Sequence, residues 1–457
     1  MHSLNMSFAN VEEQILYNEA NEETSVSTIQ PADVAWVLTS TALVMLMVPA
    51  LAFFYGGLVR RKNLVSTLVQ CIIIFAVVSL VWFFWGFNFV YGQSIGGIIG
   101  FSPNLFGLNG VTINSSSSYA PQIPEALFFA FQLKFAAITP ALIIGACAER
   151  IRFKSLLIFV VLWSTFIYSP IAHWVWNVNG WLHVLGAVDF AGGIVVHIAA
   201  GLSALAAAVV VGRRKGCVYW KDQMKALDQK GANKIVSMGS EFKPTNIPYV
   251  ILGAGLLWFG WFGFNGGSAL AADGVAVSAV VVTNLAAAAA AVSWMLMDWF
   301  IKGKPSAIGI AVGAVCGLAA ITAASGYVSF TAAVIIGLIA GVVSNLVANW
   351  RAGRSKIDDT LDVFACHGIG GIIGAIAVGI FATTLFNPKG VNGILYGNAY
   401  QLGVQAFAVI IVSVFAFVGS YLLLRLVDVV SPLRVSAKEE EEGLDLSQHG
   451  EEAYHLD

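Results

Sequence analysis

Charge is what this 457-residue chain has least of: Asp, Glu, Lys and Arg together make up 11% of it, against about 25% in an ordinary soluble domain. Such a chain cannot cover itself with a solvated surface, so much of it must face hydrocarbon. Cysteine motifs are missing as well. Cys71, Cys147, Cys217, Cys316 and Cys366 show no CxxC or metal-type spacing, which excludes a disulfide framework and leaves buried thiols as the expectation. There is no HExxH, no glycine-rich loop ending in Lys-Ser/Thr and no TVGYG-like stretch. Zinc peptidase chemistry, nucleotide hydrolysis and a carbonyl potassium filter are therefore excluded. Carboxylates deep inside apolar runs are scarce, since Glu125 begins one run and Asp298 ends another; a route for hydrated metal ions needs more oxygen ligands than that. No nucleophile, base and orienting group recur together, so an enzyme is not expected, and neither a cofactor nor a nucleic-acid partner is called for. The first 30 residues are polar and acidic and lack the basic start and short apolar stretch of a cleavable signal peptide.

What the chain has is apolar length. Hydrophobic residues make up 58% of it, 46 residues are glycine, and the mean hydropathy is +0.79. Apolar runs of about 20 residues fall near 33–58, 65–90, 124–147, 154–172, 190–211, 247–270, 276–300, 306–323, 332–350, 361–384 and 400–427. Basic residues test this count, because they collect in cytoplasmic loops. The segments 60–62, 150–154, 213–243, 302–304, 351–356 and 425–438 hold 22 of the 24 Lys and Arg, and only Lys134 and Lys389 fall outside. Every second loop is basic, which puts the N-terminus outside and the C-terminus inside. The expected fold is an all-α polytopic membrane protein of eleven transmembrane helices.

Eleven divides into five, five and one. An odd number of helices per repeat inverts the second copy and places a substrate path at the interface of the halves. The expected organisation is an acidic extracytoplasmic segment 1–32, a transmembrane domain 33–430 and a cytoplasmic tail 431–457. Within the domain, repeat one covers about 33–211, a basic loop 212–246, repeat two about 247–384, and the eleventh helix 400–427. The tail is too short for a domain and too acidic to bind a membrane surface.

Two histidines stand inside glycine-lined apolar runs, each eight residues after an aspartate: Asp189 and His197 in DFAGGIVVHIAAG, Asp359 and His367 in DTLDVFACHGIGG. They fall in runs five and ten, the equivalent members of the two halves. Polar rings in hydrocarbon are costly and mark pathways, and a neutral imidazole both accepts and donates a hydrogen bond. Gly193 and Gly201 flank His197 at i−4 and i+4, so one helix face offers close approach interrupted by one ring. Asp189 is about 12 Å along the helix from His197, and its place at the start of run five suits capping better than pairing. Phe131 and Phe135 are one turn apart, and Trp261, Phe264 and Ser268 share one face of run six. Aromatic faces with a hydroxyl suit a small ammonium-type cation.

The chain resembles the ammonium transporter (Amt/Mep/Rh) family, in its bacterial and archaeal Amt branch. The resemblance is carried by ALAFFYGGLVRRKN (50–63), FAAITPALIIGACAERIRF (135–153), PIAHWVW (170–176), GAVDFAGGIVVH (186–197), LLWFGWFGFNGGSAL (256–270), DVFACHGIGG (362–371) and EGLDLSQHGEEAY (442–454). It implies a homotrimer in the cell membrane with one pore per subunit, taking ammonium and methylammonium. Phe131, Trp163 and Ser268 match the outer recruitment site, Phe135 and Phe264 the stacked gate beneath it, and His197 and His367 the twin histidines of the conduction path with Trp261 beside them. Asp189 matches an acid needed for the outer site without touching substrate. The tail matches the segment through which a PII-type (GlnK-like) signalling protein acts. An ammonium sensor using the same pore as a binding site is the alternative. Transport is electrogenic if a proton follows the ammonia and neutral if ammonia moves alone. Lys134 departs from the family pattern, standing between Phe131 and Phe135 where an uncharged residue is expected; its stem lets it reach outward to lipid or a subunit contact. The 212–246 loop is longer and more basic than the family pattern.

Overall fold

The computed structural model describes residues 29–215 and 243–454. Most of the acidic N-terminal segment, most of the 212–246 loop with Cys217, and the last three residues of the tail lie outside the described residues. Ten described helices are long and apolar enough to cross a membrane: α1 Pro31–Leu58, α2 Arg61–Tyr91, α3 Glu125–Cys147, α4 Phe153–Leu185, α5 Gly193–Val211, α6 Ile247–Gly267, α7 Gly274–Lys302, α9 Phe330–Arg354, α10 Phe364–Phe381 and α11 Ala399–Val430. The expected run at 306–323 forms α8, Ala307–Ile321. Its 15 residues reach about 22 Å, short of the roughly 30 Å of a bilayer core. Its second half faces only protein, because residues 318–321 are wholly buried among its neighbours. Among the described residues there is, beyond the helices, one small antiparallel hairpin, Ser94–Ile95 with Ile99–Gly100, in the connection between α2 and α3.

The helices begin where side chains can satisfy their free N–H groups. Asp273 caps α7, Ser306 caps α8, Ser329 caps α9 and Asn398 caps α11, each accepting from the first turn. Proline supplies the first turn of α1 and α6, where its missing N–H costs nothing. The four described cysteines are buried and unbridged.

Glycine sets how the two halves meet. In the α1–α6 pair, a Cβ on Gly57 of α1 would lie 2.5 Å from the Asn246 carbonyl at the start of α6, and a Cβ on Gly267 of α6 would lie 2.5 Å from the Ser40 side chain of α1. The α5–α10 pair repeats this reciprocity. A Cβ on Gly201 would collide with the backbone of Gly368, and one on Gly371 would lie 2.7 Å from the Gly193 carbonyl. Each helix thus offers its bare strip to the turn that carries the other's histidine. Two inverted copies packed about a common axis give this pattern of exchange.

The basic segments gather at one end of the bundle, with the tail folded beneath them. Glu149, fully buried, takes the Arg60 Nε at 3.0 Å and the Arg214 Nη1 at 3.1 Å. Asp358 faces Arg214 at 3.0 Å; burial works against its charge, yet the guanidinium holds its carboxyl well below the usual carboxylate range. The short helix α12, Ala437–Glu442, opens with a capping box between Ser436 and Glu439. Its acids then reach the basic turns: Glu439 to Arg152 at 3.2 Å, Glu440 to Arg434 at 2.7 Å, Glu441 to Lys215 at 2.8 Å.

The close crossing predicts a graded response to one methyl group. Gly201→Ala overpacks a backbone contact and is expected to cost about 1–3 kcal/mol or more, read as early loss of monodisperse protein on heating in detergent. Gly255→Ala, where a Cβ meets nothing within 4 Å, should leave the same curve unmoved.

Candidate functional site

The two histidines are brought together by how their helices start. Asp189 turns its carboxylate onto the first turn of α5, with Oδ1 accepting from the Gly192 and Gly193 N–H groups at 2.9 and 2.7 Å and Oδ2 from Ile194 and Val195 at 2.7 and 3.0 Å. Asp359 does the same for α10, accepting from Val363 at 3.1 Å and Phe364 at 2.8 Å. Burial pushes the Asp359 carboxyl up to about 6, with Arg351 opposing the rise. Three residues after each aspartate the backbone turns left-handed, at Gly192 (φ 106°) and at Asp362 (φ 56°). Glycine adopts that turn freely. Asp362 is held in it by Arg351, whose Nε lies 2.6 Å from its Oδ1.

Each histidine then falls in a wide, π-type turn, Gly193–Ile198 or Phe364–Gly368, the local widening that recurs at functional positions in helices. The His197 and His367 rings lie nearly parallel, 20° apart with centroids at 5.2 Å. Their Nδ1 atoms are 3.3 Å apart. Two facing ring nitrogens hold one proton between them, so one ring donates and the other accepts. The donor's Nε2 is then a bare lone pair and the acceptor's Nε2 carries a hydrogen. His197 Nε2 is buried and without a hydrogen-bond partner among the described residues.

Around the rings the walls are apolar. A cavity of about 10 Å³ is lined by Met47, Leu51, Ile138, Leu142 and Leu257 together with the histidines, Trp261 and Phe264, which is space for about one water-sized molecule. Trp261 stacks on His197 at 5.3 Å and is fixed by its indole N–H, which donates to Thr322 Oγ1 at 2.9 Å. Phe264 lies 6.0 Å from His197 on one side and 4.3 Å from Phe135 on the other. The Phe135–Phe264 pair stands between this cavity and the one near the start of α3.

Above that pair is a cavity of about 140 Å³ lined by Tyr91, Tyr119, Phe128, Gln132, Phe135, Trp176, Phe190, Ser268 and Leu270, opening into a basin of about 680 Å³. Ser268 donates its hydroxyl proton to the Phe264 carbonyl at 2.9 Å, which leaves its oxygen as an acceptor. Trp176 stands edge-on to Phe135 at 6.0 Å, and its indole donates to the Asp189 carbonyl at 3.0 Å. The Asp189 backbone carbonyl thereby fixes the Trp176 ring that lines this cavity.

Two expected members of this mouth are elsewhere. Trp163 is completely buried, and its indole donates to Ser203 and Ser420, both at 3.0 Å, in the packing of α4 against α5 and α11. Its depth explains this. Counted from Phe153 at 1.5 Å per residue, Trp163 is about 15 Å along its helix while Trp176 is about 35 Å along, level with the mouth. Trp176 closes the PIAHWVW stretch, so the signal was present in the sequence. Phe131 is also fully buried; it packs edge-on against Phe135 at 5.0 Å and backs the gate without lining the cavity. Lys134 points away from the path, its Nζ 5.1 Å from the centre of the Phe75 ring on α2.

The chain resembles a well-populated group of proteins. The model of the Ammonium Transporter Family matches residues 35–454. Ammonium transporter Amt1 of Archaeoglobus fulgidus is 46% identical over 422 residues, covering 92% of this chain and 99% of that protein. Among solved structures, Mep2 of Saccharomyces cerevisiae superposes with a TM-score of 0.80 at 34% identity, over 90% of this chain and 89% of that one. A protein described as Sensor Amt Protein does so with a TM-score of 0.80 at 32% identity, over 92% and 98%.

Asp189 answers four N–H groups at once, and this predicts its weight in the fold. Asp189→Ala strands all four in a buried turn, with an expected loss of about 2–4 kcal/mol. Thermal unfolding of the detergent-solubilised protein measures it, and a loss below about 1 kcal/mol would contradict the assignment.

Proposed function

The chain belongs to the ammonium transporter family, in its Amt branch, and on that premise we propose that it recruits NH₄⁺ at the Trp176–Ser268 mouth and passes ammonia along the His197–His367 pair. The observation that carries this reading is the order of the groups along one line: an acceptor oxygen and aromatic faces, then two rings in contact, then two imidazoles in hydrocarbon. Cation–π attraction and the Ser268 oxygen favour a small cation bearing N–H groups. Past the gate no carboxylate lines the small cavity, so an ion that keeps its charge meets a dry wall. Ammonium can leave a proton behind and enter as NH₃. Potassium, of similar size, has no proton to lose.

Basic segments and tail share one end of the bundle, and with positive charge inside that end is cytoplasmic. The mouth then opens outward, α8 counts as the eleventh crossing, and the protein lies in the cell membrane. A homotrimer with a PII-type protein at the cytoplasmic face completes the reading. The likeness to the Sensor Amt Protein supports a second reading, in which the same path binds ammonium to signal.

Uptake of labelled methylammonium into proteoliposomes separates the two. Wild-type protein is expected to transport. His197→Ala and His367→Ala are expected to lose most of that rate or to admit potassium, and unchanged, potassium-blind uptake by both would overturn the conduction role. Current evoked by ammonium in the same bilayers reads whether the proton follows.

Affinity should map to the mouth. Trp176→Leu and Ser268→Ala are each expected to raise the apparent KM about tenfold, the scale of one desolvated cation–π contact or charged hydrogen bond. Trp163→Leu should leave KM in place and lower thermal stability instead.

A further inference from the structure

One side chain of the mouth is left without a task by this reading. Phe128, Gln132 and Phe135 stand at i, i+4 and i+7 on α3 and all three line the cavity above the gate. The cavity they share is otherwise lined by Phe190, Trp176 and Leu270, with the hydroxyls of Tyr91, Tyr119 and Ser268 as its other polar groups. In that setting Gln132 Oε1 is covered by protein and has no hydrogen-bond partner among the described residues. Buried side-chain acceptors are almost always answered, and one that is not calls for a reason. The neighbouring cation does not supply it, because Lys134 reaches the Phe75 ring on α2.

We propose that Gln132 is a specificity-determining residue of the mouth, its amide oxygen serving beside Ser268 Oγ as a second acceptor for an N–H-bearing cation held above the Phe135–Phe264 pair. The proposal rests on the reading of that cavity as the ammonium site. The chemistry is that of a half-shell. Ser268 has spent its own proton on the Phe264 carbonyl and can only accept. The terminal torsion of a glutamine is broad and soft, so a turn of the amide brings its oxygen to the cavity. Two oxygens and the faces of Phe135 and Trp176 then answer a tetrahedral cation in several directions at once. A bare alkali ion gains less there, since it needs a fuller shell of oxygens to replace its water.

Initial uptake of labelled methylammonium by proteoliposomes, competed with ammonium, tests this. Gln132→Leu keeps the bulk and removes the acceptor, and it is expected to raise the apparent KM and the ammonium inhibition constant about tenfold with maximal rate within about twofold, the scale of one charge-assisted hydrogen bond. Gln132→Glu keeps an acceptor, and its constants are expected at or below wild type. If Leu and Glu weaken binding equally, the amide N–H or its packing is what matters and the acceptor role is overturned. If Leu changes nothing while Ser268→Ala raises KM, Gln132 is overturned and the cavity reading stands. If neither variant moves KM, the cavity reading itself falls and takes the proposal with it. Should Gln132→Leu fail to reach the membrane, the Glu variant alone decides, as a rise in its constants contradicts the proposal.

Discussion

Two imidazoles that must share one proton in hydrocarbon are the constraint on which the rest of this molecule turns. Their Nδ1 atoms meet at 3.3 Å only because α5 and α10 cross at a backbone-to-backbone distance that Gly201 and Gly371 permit. The crossing angle and register are fixed upstream, where Asp189 and Asp359 hold the first turns of those helices. A wide turn at each histidine then swings the rings inward. The tilted Phe135–Phe264 pair lies above them, and Trp261, pinned to Thr322, covers their flank.

Much of this was legible before any coordinates. The apolar runs and the alternation of basic loops place the helix starts to within a few residues, because both follow from bilayer thickness and from charge, although α4 runs to Leu185, well past the expected 172. The repeated Asp-x₇-His spacing located the rings, because each aspartate caps the turn that leads to its histidine. The reading went astray where depth mattered more than type. Trp163 has the right chemistry for a cation site and lies about 20 Å short of the mouth along its helix, whereas Trp176, at the end of the PIAHWVW stretch, lies at the right level. Phe131 stands one turn from Phe135 and touches it, yet the lining face runs through Phe128, Gln132 and Phe135. The left-handed turn at Asp362 had no local signal either, since it depends on Arg351 from another helix.

The tail shows the same limit from the side of charge. Its run of glutamates finds its partners in this chain's own basic turns. Asn63 accepts the Leu444 N–H at 2.9 Å and Asp445 accepts from Ser66 at 2.7 Å, so the segment docks by backbone as well as by charge. His449 packs edge-on against Phe153 at 4.9 Å. Residues nearly four hundred positions apart meet here, and no window along the sequence could have paired them.

The crossing of α5 and α10 has one more consequence. Halves joined where a single methyl group would not fit have no room to slide, so the joint cannot serve as a hinge for alternating exposure of the path. In the proposed path the rings of Phe135 and Phe264 are then what would have to turn. On the proposed reading, a passage that opened by ring rotation alone would have no stroke to which another gradient could be geared, and its net flow would run downhill for whatever species crosses.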